Sequence, residues 1–268
     1  MENRRFNQRP RFAESGERER SNAKHGNDMI FGTHAVLETL RAGKEIERIF
    51  LQKDISGEGL LEIQRIATQR EIPVQRVPIE KLHRITRKVH QGVICFVSPI
   101  QYAPLDNVVQ AAFDAGRMPF LLILDRVTDV RNFGAITRSA ECAGVDAIVI
   151  PQKGGAQINS DAMKTSAGAL NFLPVCRERS LLKTVQYLQD SGIRVVGCTE
   201  KGTQALYEAD FSNPVAIVMG SEEDGISDEL IRVCDELVQI PMTGQISSLN
   251  VSVAAGIALF EAVRQRAK

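Results

Sequence analysis

Hydrophobic positions recur along this chain with two periods. From Asp28 to Val97, short apolar runs of strand length alternate with stretches whose apolar residues fall three and four apart. MIFGTHAVLETLRAG predicts a short helix with Val36, Leu37 and Leu40 facing inward and Gly43 as its stop. IERIFL reads as a strand and GLLEIQRIATQR as a helix carrying Leu60, Leu61, Ile63 and Ile66. Pro73 ends that helix before a strand from Val74 to Val77. A short helix from Ile79 and a strand from Val93 to Val97 complete a compact α/β unit over 28–99. SPIQYAPLDNVVQAAFDAGR, with two prolines and one short helical pattern, predicts a linker helix within 100–117. The remainder, 118–268, alternates six apolar strands (PFLLILD, DAIVI, FLPVC, IRVVGC, PVAIVMG, ELVQI) with helices near 132–143, 161–169, 180–191, 227–234 and 249–267. Such strands imply a mostly parallel sheet with helices on both faces.

Ligands of these sheets sit beyond the carboxyl ends of the strands, so polar clusters in the strand-exit loops carry the chemical interest. Three such loops stand out. RVTDVRNFGAITRSAECAG places Asn132, Gly134 and Arg138 at and just inside a helix start. SEEDGISDEL sets Gly220, Glu222 and Gly225 in a tight turn before a helix capped by Ser227. The third runs from Val238 through a Gly/Ser-rich turn, Gly244 to Ser248, into an amphipathic helix. That helix carries Val251, Ala254, Ala255, Ala258, Leu259, Ala262 and Val263 on one side, with Ser247 or Ser248 as N-cap and Asn250 in the first turn. Free backbone N–H groups and short polar side chains converging after a strand suit a polar ligand. Taken singly, each loop also fits an ordinary turn, Glu222 an exposed acid and Arg138 a surface arginine.

Composition narrows the class. The 268 residues are 43% hydrophobic, ordinary for a soluble protein of two domains. No apolar run approaches the roughly 20 residues that span a bilayer. The opening MENRRFNQRP has no apolar core, so no secretory signal is expected. Five scattered cysteines without a CxxC pair read as small buried hydrophobes in a reducing, cytoplasmic setting. Net charge is zero, yet residues 1–27 hold seven basic groups against four acidic ones and almost no aliphatic residues, which predicts a disordered basic arm. The run His83, Arg84, Arg87, Lys88 and His90 contains no acid and reads either as a phosphate-contacting edge or as a solvated loop. Both histidines are expected at the surface, with no partner at metal-ligand spacing. GxGxxG after the first strand, GxxxxGK[ST], HExxH and GxSxG are all missing, which disfavours the dinucleotide, P-loop, zinc-protease and hydrolase readings.

NFGAITRSAECAG, IVMGSEEDGIS and IPMTGQISSLNVSVAAGIALFEAVRQ resemble, in order, the three motifs of the SpoU/TrmH family of RNA ribose 2′-O-methyltransferases, within the SPOUT superfamily. FGTHAVLETLRAG and HQGV, His90 to Val93, further resemble the small L30e-type N-terminal domain of large-subunit rRNA guanosine methyltransferases in that family. The resemblance covers nearly everything after Asp28. It implies a SPOUT α/β sheet whose C-terminal segment forms a trefoil knot, an exception to the rule against threading. It also implies S-adenosylmethionine as cofactor, ribosomal RNA as partner, no metal, and a homodimer with its active site near the interface. By motif position Asn132, Arg138, Glu222, Ser248 and Asn250 are the catalytic set. Thr199, Gly220, Ile240, Ser248, Leu249 and Asn250 would bind the cofactor, and Arg84, Arg87, Lys88 and Arg131 the RNA. The family's Pro-His pair before the first-motif asparagine is replaced here by Val130-Arg131, which leaves the RNA target less determined than the reaction.

The chemistry follows from those residues. A ribose hydroxyl is a poor nucleophile, and orienting it in line with a sulfonium methyl is worth up to ~7–11 kcal/mol. Arginine is a very poor base, so Arg138 is expected to clamp an RNA phosphate and stabilise developing negative charge. The proton would then pass to phosphate or water. Asn132 would align the ribose, Glu222 would brace the second-motif loop or Arg138, and Ser248 and Asn250 would order the cofactor turn. The alternatives are a tRNA ribose 2′-O-methyltransferase, a non-catalytic RNA-binding ribosome-assembly factor, and a small-molecule nucleotide enzyme. The five intact polar residues disfavour the second, and the missing glycine fingerprint disfavours the third.

Overall fold

The computed structural model describes residues 29–246 and 248–267. The basic arm expected over 1–27 and the candidate cap Ser247 lie outside the described residues. The chain builds two sheets. The first has four strands in the order β1-β4-β2-β3 (Met29–Phe31, Val93–Val97, Ile46–Gln52, Val74–Val77), with β4 antiparallel to both β1 and β2 and β3 parallel to β2. Helices α1 (Thr33–Arg41) and α2 (Glu58–Gln69) cover one face through Val36, Leu37, Leu40, Leu60, Ile63 and Ala67. Gly43, at φ 72°, sits just past the end of α1. Leu61 points to solvent instead, 64% exposed. The shorter α3 (Ile79–Ile85) covers part of the other face through Leu82. β1 was not foreseen: three half-buried residues give too short a run to show a period.

The second sheet has seven strands, all parallel, in the order β7-β6-β5-β10-β8-β11-β9. These are Val175–Glu178, Ala147–Pro151, Phe120–Leu124, Val215–Met219, Arg194–Cys198, Glu236–Gln239 and Gln204–Ala205. β5 and β10 are buried along their whole length, as their unbroken apolar sequences require. One face packs against α5 (Val130–Cys142), α6 (Ser160–Thr165) and α9 (Val251–Arg266). The other packs against α4 (Leu105–Asp114), α7 (Leu181–Asp190) and α8 (Asp228–Ile231). The helix expected as a linker, α4, thus places Leu105 and Val109 in the core of this second unit.

Several boundaries shift for local reasons. α6 ends at Thr165, not 169, because Ala167 and Gly168 take left-handed backbone (φ 50° and 89°). Phe172 and Leu173 belong to a 3-10 turn and its exit rather than to β7; the Leu173 amide donates to the Ala169 carbonyl. α9 starts at Val251 with Asn250, not a serine, as its cap. The side of α9 opposite its buried stripe is also apolar, with Val253 and Phe260 about half exposed, so the helix is less amphipathic than expected. His90 is buried, contrary to expectation, because left-handed Gln91 and Gly92 fold the chain over it and the Gly92 amide donates to its Nδ1 at 3.1 Å. Cys95, Cys176 and Cys198 are buried and Cys234 partly so, while Cys142 is exposed.

Candidate active site

β5 leads outward to β6 and β7, whereas β10 and β8 lie on its other side, so the order in which the chain adds strands reverses between β5 and β10. The loops leaving these two strands define a crevice at that switch point. Buried Asp125, directly after β5, accepts the Ser227 amide at 2.7 Å and so ties the two loops together. Arg126 donates to the Asp224 carboxylate at 3.1 Å and to the Gly225 carbonyl at 3.2 Å. Within the second loop, Ser221 and Gly225 exchange amide-to-carbonyl bonds of 3.0 and 3.1 Å. This turn needs its glycines: a Cβ on Gly220 would overlap the Gly225 and Ile226 backbone, and Gly225 holds φ 67°.

Two helix starts complete the constellation. Asp129 caps α5, its carboxylate accepting the amides of Arg131 and Asn132 at 2.8 Å each. Asn250 caps α9 through the Ser252 amide at 2.9 Å. The same side chain donates from Nδ2 to Asn132 Oδ1 at 3.1 Å and to Glu222 Oε1 at 2.6 Å. One residue thereby joins all three strand-exit loops. Glu222 is committed to Asn250 and not to Arg138. The Asn132 amide nitrogen keeps its donors free among the described residues.

Beside this triad lies a cleft of about 540 Å³. Thr199, Gly220, Ile240, Ser248 and Leu249 line it, and Asn250 follows immediately. Met219, Ile240, Leu249, Val251 and Ala254 offer an apolar wall for a flat ring. Glu200, Glu222, Glu223 and Asp224 stand opposite, with no lysine or arginine in the lining. Buried Thr199 donates from its amide to the Val238 carbonyl at 2.9 Å and from its hydroxyl to Glu200 at 3.1 Å. Burial pushes the Cys198 thiol up to about 11, which keeps it protonated and unreactive. A wall part apolar, part carboxylate fits a cationic nucleoside such as S-adenosylmethionine. Among the described residues no three His, Cys, Asp or Glu side chains converge as a metal set.

Arg138 lies outside this cluster. It is exposed on α5 and has no hydrogen bond or ion pair among the described residues. Arg131 is exposed in the first turn of the same helix. Arg84, Arg87 and Lys88 are exposed on the first unit, Lys88 with its Nζ 5.6 Å above the Phe31 ring. The structure therefore gathers Asn132, Glu222 and Asn250, puts the expected cofactor residues around one cleft, and leaves the basic residues unpaired. Sequence reasoning missed Asp125 and Arg126. An acid–base pair directly at the exit of the central strand, LLILDR, was the available signal for both.

A parallel sheet with its polar loops joined across the switch point defines the class of doubly wound α/β proteins that bind ligands at the strand exits. Within it this chain belongs to the SpoU rRNA methylase family, whose model matches residues 119–260. A second model, RNA 2′-O ribose methyltransferase substrate binding, matches residues 29–103. The chain is 40% identical over 244 residues to the 23S rRNA (guanosine-2′-O-)-methyltransferase RlmB of Escherichia coli K12, covering 89% of this chain and 99% of that protein. It is 34% identical to the putative TrmH family tRNA/rRNA methyltransferase YacO of Bacillus subtilis, covering 89% and 96%. Among solved structures it is similar to the SpoU methyltransferase AviRb of Streptomyces viridochromogenes in complex with AdoMet. That likeness has TM-score 0.56 and 26% identity over 89% of this chain and 90% of the other.

Proposed function

We propose that this protein transfers a methyl group from S-adenosylmethionine to the 2′-hydroxyl of a guanosine ribose in large-subunit ribosomal RNA. The observation that carries the reading is Asn250, which binds Asn132 and Glu222 at the lip of the carboxylate-lined cleft. Family membership supplies the reaction class, and the 40% identity to a 23S rRNA guanosine enzyme favours that RNA over tRNA.

Bound in the cleft, S-adenosylmethionine supplies an electrophilic methyl carbon. Thr199, Gly220, Ile240 and Leu249 hold it through backbone groups and apolar contact, Ser248 orders the turn, and the carboxylates balance its positive charge. Glu222 fixes Asn250, Asn250 fixes the Asn132 carbonyl oxygen, and the freed Asn132 amide donates to the ribose. The ribose oxygen would take the methyl carbon that the donor supplies, the electron pair of the carbon–sulfur bond staying with sulfur. The hydroxyl proton leaves to a phosphate oxygen or water. Arg138, whose charge has no partner among the described residues, grips that phosphate and stabilises the developing oxyanion.

The unit over 28–99 serves as an L30e-like RNA-binding domain, with Arg84, Arg87 and Lys88, and Arg131 from the second unit, at phosphates. Residues 118–268 form the SPOUT domain with a knotted C-terminal segment. Large apolar side chains exposed on the outer side of a helix suit an interface. Val253 and Phe260 on α9 are accordingly read as facing a second copy in a homodimer, and rRNA as substrate makes the setting cytoplasmic; a monomer in sedimentation equilibrium would remove the dimer. No helix among the described residues is long and apolar enough to cross a membrane. Mass-spectrometric mapping of 23S rRNA treated with the purified protein and S-adenosylmethionine tests the whole reading. The expected product is a single 2′-O-methylguanosine; base methylation, or modification of tRNA alone, contradicts it.

A further inference from the structure

The first sheet has an uncovered corner. Antiparallel register aligns Met29 with Phe96 and Phe96 with Arg48, a row across β1, β4 and β2 on one face. The next row aligns Phe31 and Phe50 through Ile94. α3 seals the Phe50 end of this face through Leu82 and Ile85. It does not reach Met29, Phe31, Arg48 and Phe96, which stay half-buried.

Cations interleave with these rings. The Arg48 guanidinium carbon stands 4.6 Å from the Phe50 centroid and 5.0 Å from Phe96, while Lys81 lies 4.8 Å from Phe50. Arg48 Nε is buried with no hydrogen-bond partner. A small cavity opens along the first row, bounded by Met29, Arg48 and Phe96 on one side and by the loop from Gln157 to Asp161, which leaves β6, on the other. Neighbouring Glu47 does not neutralise Arg48 through a direct ion pair; its carboxylate accepts the Tyr102 hydroxyl and the Ile158 amide, and lies 3.8 Å from Arg177. The Asn159 side chain is spent on capping α6.

A guanidinium held against aromatic rings, with no hydrogen bond of its own among the described residues, is the chemistry that takes an unpaired base by stacking. The far wall decides between base and phosphate. Asp161 lines it, and a carboxylate there repels a phosphate while accepting from exocyclic amino groups. We infer that the mouth of this slot, whose interior of about 80 Å³ is too small to enclose a whole base, takes the amino-bearing edge of one unpaired nucleobase of the substrate RNA, stacked on Phe96 and Arg48 with that edge toward Asp161. The inference deepens the proposed function and rests on it for the identity of the RNA. It adds a base-reading contact to the phosphate contacts of Arg84, Arg87 and Lys88.

Two readouts on the full chain separate the inference from the reading beneath it. In methyl transfer to unmodified 23S rRNA, Arg48→Ala and Phe96→Ala should each raise the KM for RNA about tenfold, within the range for one lost stack. The apparent kcat and the calorimetric affinity for S-adenosylmethionine should stay within about twofold of wild type. Phe96→Tyr, which keeps the ring, should restore the RNA KM and excludes misfolding as the cause. Ultraviolet crosslinking of unmodified 23S rRNA, in which any base can react, to wild-type protein should label a peptide containing Met29, Arg48 or Phe96. Unchanged KM in both alanine variants, or crosslinks confined to other peptides, overturns the slot while the methylase reading stands. Absence of methyl transfer by wild-type protein sinks the methylase reading instead, and the crosslinked peptides then decide the slot alone.

Discussion

The two ends of the seven-stranded sheet use arginine in opposite ways. At the amino end Arg266, partly buried, donates to four backbone carbonyls: Phe211 at 2.8 Å, Met118 at 3.0 Å, Pro119 at 3.2 Å and Asn213 at 2.6 Å. It also lies 4.6 Å from the Phe120 centroid, and burial lowers its pKa. Four of its N–H donors are spent on the fold. On the helix that leaves the carboxyl end, Arg138 is exposed and without a partner among the described residues, while Asn250 locks Asn132 and Glu222 where that helix starts. A charge committed to carbonyls can only stabilise; a charge left unspent is available to a ligand. The same side chain is structural at one end and a candidate for chemistry at the other.

The sharpest way to break this contrast is to remove each arginine in turn. Arg138→Ala should cut methyl transfer by about 10²–10³-fold with the melting temperature unchanged, the loss typical of one charge-stabilising donor. Single-turnover kinetics and thermal melts read both halves. Arg138→Lys at near-wild-type rate would rule out a bidentate clamp. Arg266→Ala should do the reverse, costing about 2 kcal/mol of stability by stranding the part-buried carbonyls of Phe211 and Pro119, with kcat preserved at temperatures where the protein stays folded. Equilibrium urea unfolding measures the first effect.

Asn250 stands between the two roles. Asn250→Ala should cost about 1 kcal/mol through the lost α9 cap, and should also lower the transfer rate because Asn132 and Glu222 lose their shared donor. A variant that melts lower yet reacts at full rate would reduce Asn250 to a cap. The smallest effect concerns the first unit. Burial, with His83 alongside, lowers the His90 pKa from 6.5. The folded state then takes up that proton less readily than the unfolded one. Stability is therefore intact above about pH 6.5 and declines as pH falls through the folded value. Protonation also removes the lone pair that receives the Gly92 amide. His90→Gln should flatten this slope in melts between pH 7 and pH 5.

How much of this was legible depended on the range of the interaction. The unbroken apolar strands FLLIL and VAIVM announced a buried parallel sheet because every residue in them is inside. Glycine, asparagine and acid in the strand-exit loops marked the site because tight turns restrict residue type. The partners across space were not legible. Nothing in the order of residues says that Asn250, 118 positions from Asn132, is bonded to it, or that Asp125 receives the Ser227 amide 102 positions on. Short edge elements such as β1 and β9 escaped because two or three residues carry no period. His90 was misread because a left-handed turn, not composition, buries it.

The central claim is that the strand-exit cleft binds the methyl donor, and calorimetric titration of the purified protein with S-adenosylmethionine tests it most directly. The account predicts one site per chain and a loss of at least about tenfold in affinity for Gly220→Ala, whose Cβ has no room beside Gly225. No binding heat from the folded wild-type protein, or equal affinity in the two, would contradict it.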